Sequence, residues 1–350
     1  LTLEKFSMKK TLIALAALGA MAGAAQAQST VTLYGVADAY FGQTTTTTKT
    51  TATGLETKLK QTVVDSGGIN GSRWGLRGSE DLGGGLKANF QFESGFDIST
   101  GRSLQGGALF GRQAYVGLSG GFGAVTLGRQ YTAYDALRGD TNNTYDSAFA
   151  TTGTAWNTGV VDYTSRVNNS IAYKSPDFGG FSGSAVVALG EDKTPTASAS
   201  RNTSLQLRYA NGPILAGYAH QTEKSVGGVP SNRKYNLIAG SYDFGVASIT
   251  GGYNIAKQGP TEDKEYQLGV KVPFGAASVA AGYSRAKTET AGVTSKGTGY
   301  SIAGLYDLSK RTALYAAWNQ TKADFAAFVA PATSATVKTS VVAVGIRHRF

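Results

Sequence analysis

The chain has 350 residues, among them 47 Gly, 18 Tyr, 15 Phe and no Cys, and a formal net charge of +10. Without cysteine there is no disulfide framework and no thiolate metal site, and His220 and His348 alone leave little room for imidazole chemistry or a metal centre. The positive charge is scattered rather than gathered into a basic block, so basicity does not point to nucleic acid.

In chain order, Leu1–Ser7 precede Met8, two lysines (Lys9 and Lys10), an apolar run from Leu12 to Ala25, and the tripeptide Ala25-Gln26-Ala27. Basic n-region, short h-region and A-x-A site predict a signal peptide removed after Ala27, leaving residues 28–350 as one exported domain. The apolar run is shorter than the roughly 20 residues a spanning helix needs. No later window comes near the 18 or so consecutive apolar residues of a transmembrane helix. The exported chain therefore either dissolves or closes into a barrel.

Thr30–Gly42 reads as a strand, with Val31, Leu33, Ala37, Ala39 and Phe41 on one face and Thr32, Tyr34, Asp38 and Tyr40 on the other. Thr44–Lys60, rich in Thr and Lys, reads as a long exposed loop. Ser72–Asp97 is a hairpin turning at Glu80–Gly85, and its second arm alternates Leu86, Ala88, Phe90 and Phe92 with Lys87, Asn89, Gln91 and Glu93. Leu109–Ser119 and Ala124–Arg129 form a further pair.

The rhythm then breaks. From Arg129 to Arg166 no period of two is sustained, and loops longer than about 12 to 15 residues are uncommon unless functional or disordered. This one carries Tyr131, Tyr134, Tyr145, Phe149 and Trp156 with Asp135, Asp140, Asp146 and Asp162, too aromatic for a disordered linker and too polar for a core element. It reads as a loop, residues 130–165, folded back into the lumen of a barrel, with aromatics on the wall and carboxylates facing a water-filled gap. A long surface loop is the plainer reading.

From Arg166 the chain repeats strand, tight turn, strand, longer polar loop. The arms are Arg166–Ser175 and Ser182–Leu189, Ser204–Ala210 and Ile214–Gln221, Lys234–Tyr242 and Ala247–Ile255, Glu265–Val272 and Ser278–Arg285, Tyr300–Leu308 and Thr312–Gln320, then Thr339–Phe350. That makes about sixteen strands, an even number as bacterial barrels have. Alternation alone would also fit a soluble sandwich. Aromatics near strand ends, such as Tyr253, Tyr266, Tyr283 and Tyr300, favour an all-β transmembrane antiparallel β-barrel, where they would form interfacial girdles.

Four segments now resemble the general porins of the Gram-negative outer membrane, of the trimeric, sixteen-stranded type. They are STVTLYG (Ser29–Gly35), SRWGLRGSEDLGGGLKANFQF (Ser72–Phe92), FGRQAYVGLSGGFGAVTLGR (Phe110–Arg129), and LYDLSKRTALY with VGIRHRF (Leu305–Tyr315 and Val344–Phe350). The resemblance implies an outer-membrane homotrimer with a pore in each subunit, narrowed by the third extracellular loop, here the aperiodic stretch. It implies an arginine cluster on the wall facing that loop, at Arg73, Arg112 and Arg166. It also implies that the carboxyl-terminal Phe350 serves as the signal read by the assembly machinery. Strand parity sets Arg73 with Arg77, and Arg166 with Asn168, Ser170 and Lys174, but does not place Arg112. Trimer contacts are expected in the first strands and the last.

Arg or Lys on the lipid face of a barrel costs about 2–4 kcal/mol at mid-depth, so the strand arginines should face water. A gap with these arginines on one side and Asp135, Asp140 or Asp146 on the other would pass small hydrophilic solutes and ions passively, with modest anion preference and no cofactor. A substrate-preferring channel is one alternative. Another is an outer-membrane barrel hydrolase, for which neither histidine has a Ser and carboxylate at readable spacing.

Overall fold

A computed structural model describes residues 30–142, 144–145, 147–156, 159–160, 162–228, 232–325 and 334–350. The expected signal peptide, its cleavage site and Asp146 lie outside the described residues. Seventeen strand segments follow one another among the described residues: β1 (Thr30–Thr50), β2 (Glu56–Ser66), β3 (Arg73–Gly83), β4 (Leu86–Gly95), β5 (Gln113–Gly120), β6 (Gly123–Tyr131), β7 (Arg166–Lys174), β8 (Phe181–Leu189) and β9 (Arg201–Asn211). The series continues with β10 (Ile214–Lys224), β11 (Arg233–Asp243), β12 (Ser248–Gln258), β13 (Thr261–Phe274), β14 (Ala277–Thr290), β15 (Val293–Asp307), β16 (Thr312–Phe325) and β17 (Ala335–Arg349).

Along one edge β1 pairs first with β3, from Thr30↔Ser79 to Val36↔Arg73, and then with β2, from Ala39↔Ser66 to Lys49↔Glu56. β2 and β3 are thus one stave of the wall, broken between Ser66 and Arg73. On its other edge β1 pairs with β17, Val36 opposite Arg349 and Thr50 opposite Ala335. The sheet closes as an antiparallel barrel of sixteen staves, so among the described residues each stave has a neighbour on both sides.

The two faces follow from the alternation. On β1, Val31, Leu33 and Phe41 point outward and are 57–62% exposed, whereas Asp38 and Tyr40 point inward and are buried. Two aromatic belts mark the membrane boundaries. Tyr253 and Tyr266 stack at 6.2 Å between ring centres, and Tyr283 and Tyr300 lie tilted to one another at 5.2 Å. Toward the short-turn end, Tyr242 lies 4.5 Å from Phe244 and Phe181 lies 4.6 Å from Tyr209. On β15 the steps from Tyr300 to Tyr306 span about 20 Å at about 3.4 Å per residue, close to the apolar band of about 25 Å in such barrels.

Two expected loops are ladder instead. β1 continues through Thr44–Thr50, and Lys60–Glu56 pair with it, so Thr44–Lys60 is a hairpin turning at residues 51–55. Threonine is β-branched and suits a strand even with both faces wet, which is why the composition misleads. Likewise β14 and β15 run on past Arg285 and Tyr300 to a turn at Ala291-Gly292, both with positive φ. At the opposite end the Ser72–Asp97 hairpin turns at Gly84-Gly85, where φ is +60° and +80°, a conformation glycine adopts without strain.

The chain between β6 and β7 folds inside the barrel. It holds helix α1 (Ala133–Asp140), a tight turn at Ser147–Phe149 and the short helix α2 (Thr152–Ala155). The Thr132 hydroxyl accepts the Asp135 backbone N–H at 3.2 Å, an N-cap that starts α1 after a strand. Tyr134, Leu137, Ala155, Trp156 and Val160 pack on Ala219, Tyr235, Leu237, Ala239, Ala256 and Ala286 of the wall. Phe149 packs with Tyr40, Ile69, Ala303, Leu305 and Tyr315. The dry core of this protein therefore lies between an inward loop and one side of its own wall.

Candidate functional site: the constriction

The gap left by the inward loop is lined on the other side by the outer ends of β3 to β7. Register brings Arg73 opposite Gly95, Glu93 opposite Gln113, and Tyr131 opposite Arg166. Arg112 precedes β5, so strand parity has no hold on it. Its Nε donates to the Glu93 carboxylate at 2.7 Å and its Nη2 to the Tyr131 hydroxyl at 2.6 Å. Arg166 donates to the same hydroxyl, and its guanidinium sits 4.2 Å above the Tyr131 ring. The Arg73 Nε lies 3.7 Å from Glu93, which is 4% exposed and also accepts the Tyr34 hydroxyl at 3.0 Å. The three arginines expected from the resemblance are thus brought together, around a tyrosine and a buried glutamate.

Asp135, Arg138, Ser147 and Asp162 of the inward loop face them across a cavity of about 510 Å³. Asp135 lines this gap and accepts the Tyr163 hydroxyl at 2.6 Å. Asp140 does not face the cluster: α1 turns it to the wall, where it pairs with Arg208 of β9 at 3.0 Å. Asp162 lines the gap and pairs with Arg138 at 2.8 Å. Burial alone would disfavour the Arg138 charge, but Asp162, with Tyr163 and Tyr134 beside it, outweighs this and holds the guanidinium above its usual value. Burial also pushes the Tyr163 hydroxyl up.

Glu93, Tyr131 and Arg138 belong to this geometry without having been singled out as site residues from the sequence. Glu93 and Arg138 carry no signal in isolation, since their roles depend on cross-strand neighbours and on α1. Among the described residues, four arginines (Arg73, Arg112, Arg138, Arg166) and three carboxylates (Glu93, Asp135, Asp162) surround or underlie the gap. The arrangement can orient a dipolar solute and favour anions. Neither histidine is placed to serve as a base there: His220 is tied to Asn236 and Thr222, each at 2.9 Å, and His348 to Thr312 at 2.9 Å.

Comparison with known proteins agrees with this architecture. A family model described as Gram-negative porin matches residues 14–326. An outer membrane porin protein of Bordetella pertussis is 35% identical, over 98% of this chain and 100% of its own length. Outer membrane porin protein 32 of Delftia acidovorans is 34% identical, over 88% of each chain. Among solved structures, the anion-selective porin from Comamonas acidovorans superposes with a TM-score of 0.73 at 32% identity, covering 92% of this chain and all of that one. Closed barrel, inward loop, family match and full-length relatives together make this chain a member of the Gram-negative porin family, an outer-membrane channel.

Proposed function

We propose that the barrel passes small hydrophilic solutes and ions by diffusion, with a preference for anions set at Arg73, Arg112 and Arg166. The observation that carries this is the cluster itself: the guanidiniums of Arg112 and Arg166 meet at Tyr131, and those of Arg73 and Arg112 at Glu93, so three cations share one buried carboxylate. Asp135 and Asp162 across the gap are each engaged by loop partners, Tyr163 and Arg138. Two unit charges about 8 Å apart in water interact by only about 0.5 kcal/mol, so the preference is severalfold rather than absolute. The similarity to an anion-selective porin supports the sign.

Reversal potentials of single channels at asymmetric salt test it. The anion-to-cation permeability ratio should exceed one and fall with each of Arg73→Gln, Arg112→Gln and Arg166→Gln. A cation-preferring wild-type channel overturns the reading.

The same reading covers the remaining expectations. The subunit is a passive channel rather than a hydrolase, and the signal peptide is removed after Ala27, which the mass of the mature protein checks. Subunits form a homotrimer through the apolar outer face of β1, β16 and β17, where Phe41, Leu314, Val344 and Ile346 line one groove. The rest of the outward face meets lipid. Phe350 closes β17 onto β1 by two backbone hydrogen bonds with Gly35, at 3.0 and 3.1 Å, and acts as the assembly signal.

A further inference from the structure

The stave that β2 and β3 share is interrupted at one place. Over the three steps from Val36 to Ala39 on β1, the facing chain takes seven, from Arg73 back to Ser66. The surplus residues bulge into the lumen around a buried carboxylate on β1. Asp38 is fully buried and accepts the backbone N–H groups of Gly68 at 2.9 Å, Ile69 at 3.2 Å and Asn70 at 2.8 Å, together with the Tyr315 hydroxyl. Its own backbone is tied to Ser72, whose hydroxyl accepts the Asp38 N–H at 3.1 Å and donates to the Asp38 carbonyl at 3.0 Å.

The bulge reaches the constriction loop. The carbonyls of Gly67 and Gly68 accept the N–H groups of Ala148 and Phe149 at 3.1 and 3.3 Å. The Phe149 ring lies 5.5 Å from Tyr40 and 6.1 Å from Tyr315, between the two walls of the same pocket. A Cβ at Gly68 would stand 2.2 Å from the Tyr315 hydroxyl and 2.8 Å from the Phe149 ring, so the bulge, the loop and Tyr315 are in direct contact.

We propose that Asp38 is a positioning residue for the pore: its carboxylate holds the inward bulge, and the bulge pins the Ser147–Phe149 turn of the constriction loop. Closure of the barrel does not require the bulge, since β2 and β3 each pair with β1 on either side of it. What the bulge adds is a set of N–H groups removed from the ladder, which Asp38 satisfies, and two carbonyls offered to the loop. Buried donors without an acceptor are costly, so the carboxylate and the bulge stand or fall together. The inference rests on the reading that the inward loop sets the aperture, and it adds which wall residue fixes that loop.

The test is Asp38→Asn in the full-length protein, reconstituted in planar bilayers. Asparagine keeps the size but loses one of the two carboxylate oxygens. The fraction of time spent in a wider conductance substate should rise roughly tenfold, as expected for one unsatisfied buried group. Heat resistance of the assembled protein on gels should stay as in the wild type. The cysteine-free chain allows a rescue: Thr151 and Ser284 are hydrogen-bonded across loop and wall. A disulfide from Thr151→Cys with Ser284→Cys in the D38N background should abolish the substate, and reductant should restore it.

Wild-type traces from D38N, or a substate that the disulfide leaves untouched, overturn the proposal. So does a substate that appears only along with lost heat resistance. Should D38N fail to assemble, Tyr315→Phe, which removes one donor to Asp38 and leaves the carboxylate, should give a smaller rise in the same substate; no rise overturns the proposal. Failure of the aperture reading would look different. Gly297→Val, which must lift the loop off the wall, would then leave conductance at the wild-type value, while the arginine variants would still shift reversal potentials.

Discussion

Gly297 of the wall and Ala155 of the inward loop touch backbone to backbone: a Cβ at Gly297 would lie 1.9 Å from the Ala155 carbonyl oxygen. Gly299, two residues on, stands in the same relation to the Thr151 carbonyl, at 2.5 Å. Both glycines face the lumen on β15, where a side chain of any size would lift the loop. Gly297→Val should therefore displace α2 and raise single-channel conductance, while the heat-dependent gel mobility of the barrel stays unchanged. Conductance equal to the wild type would show that the loop does not rest on this face.

Glu93 sits beneath Arg73 and Arg112 and cancels part of their charge. Glu93→Gln keeps an acceptor for Tyr34 but removes the negative charge. The anion-to-cation permeability ratio should rise severalfold, read as a larger reversal potential at the same salt gradient.

Screening gives a second check. The Debye length falls from about 10 Å at 0.1 M to about 3 Å at 1 M, shorter than the span of the gap. Selectivity should collapse toward the ratio of bulk mobilities as salt is raised over this range. If it did not, the arginines would be binding anions tightly rather than biasing their local concentration.

The lipid face offers a depth test. Val270 on β13 points outward midway between Tyr266 and Phe274, cross-strand from Ile249 and Ala281, while Thr298 lies beyond Tyr300 on β15, cross-strand from Arg285 and Lys322. Val270→Arg should destabilise the barrel by about 2–4 kcal/mol and Thr298→Arg by about 0–1 kcal/mol. Urea unfolding in lipid vesicles would measure both.

Much of this was legible in the residues because each spanning strand has one greasy face and one wet face. The alternation in Leu86–Glu93 and Tyr266–Val272 places each residue on the side it occupies. Beyond the aromatic belts both faces are wet, the alternation disappears, and Thr44–Lys60 and Arg285–Tyr300 read as loops although they are paired strands. Helix α1 is too short to show a period, and its Thr132 cap resembles any strand end. That helix sends Asp140 to Arg208 instead of toward the arginine cluster, a direction no spacing reveals. Arg112 precedes its strand, so parity could not place it, and only the resemblance of FGRQAY pointed to the right neighbourhood.

The seam between β1 and β17 carries one more consequence. Val36 bonds beside Arg349, and Gly35 clasps Phe350, so β1 can find this mate only once β17, more than 280 residues later in the chain, has been delivered. Until then the cylinder is an open ribbon with two bare margins, each able to recruit a stranger. Closure must accordingly wait for β17, and removing that stave leaves the edges of β1 and β16 without a partner.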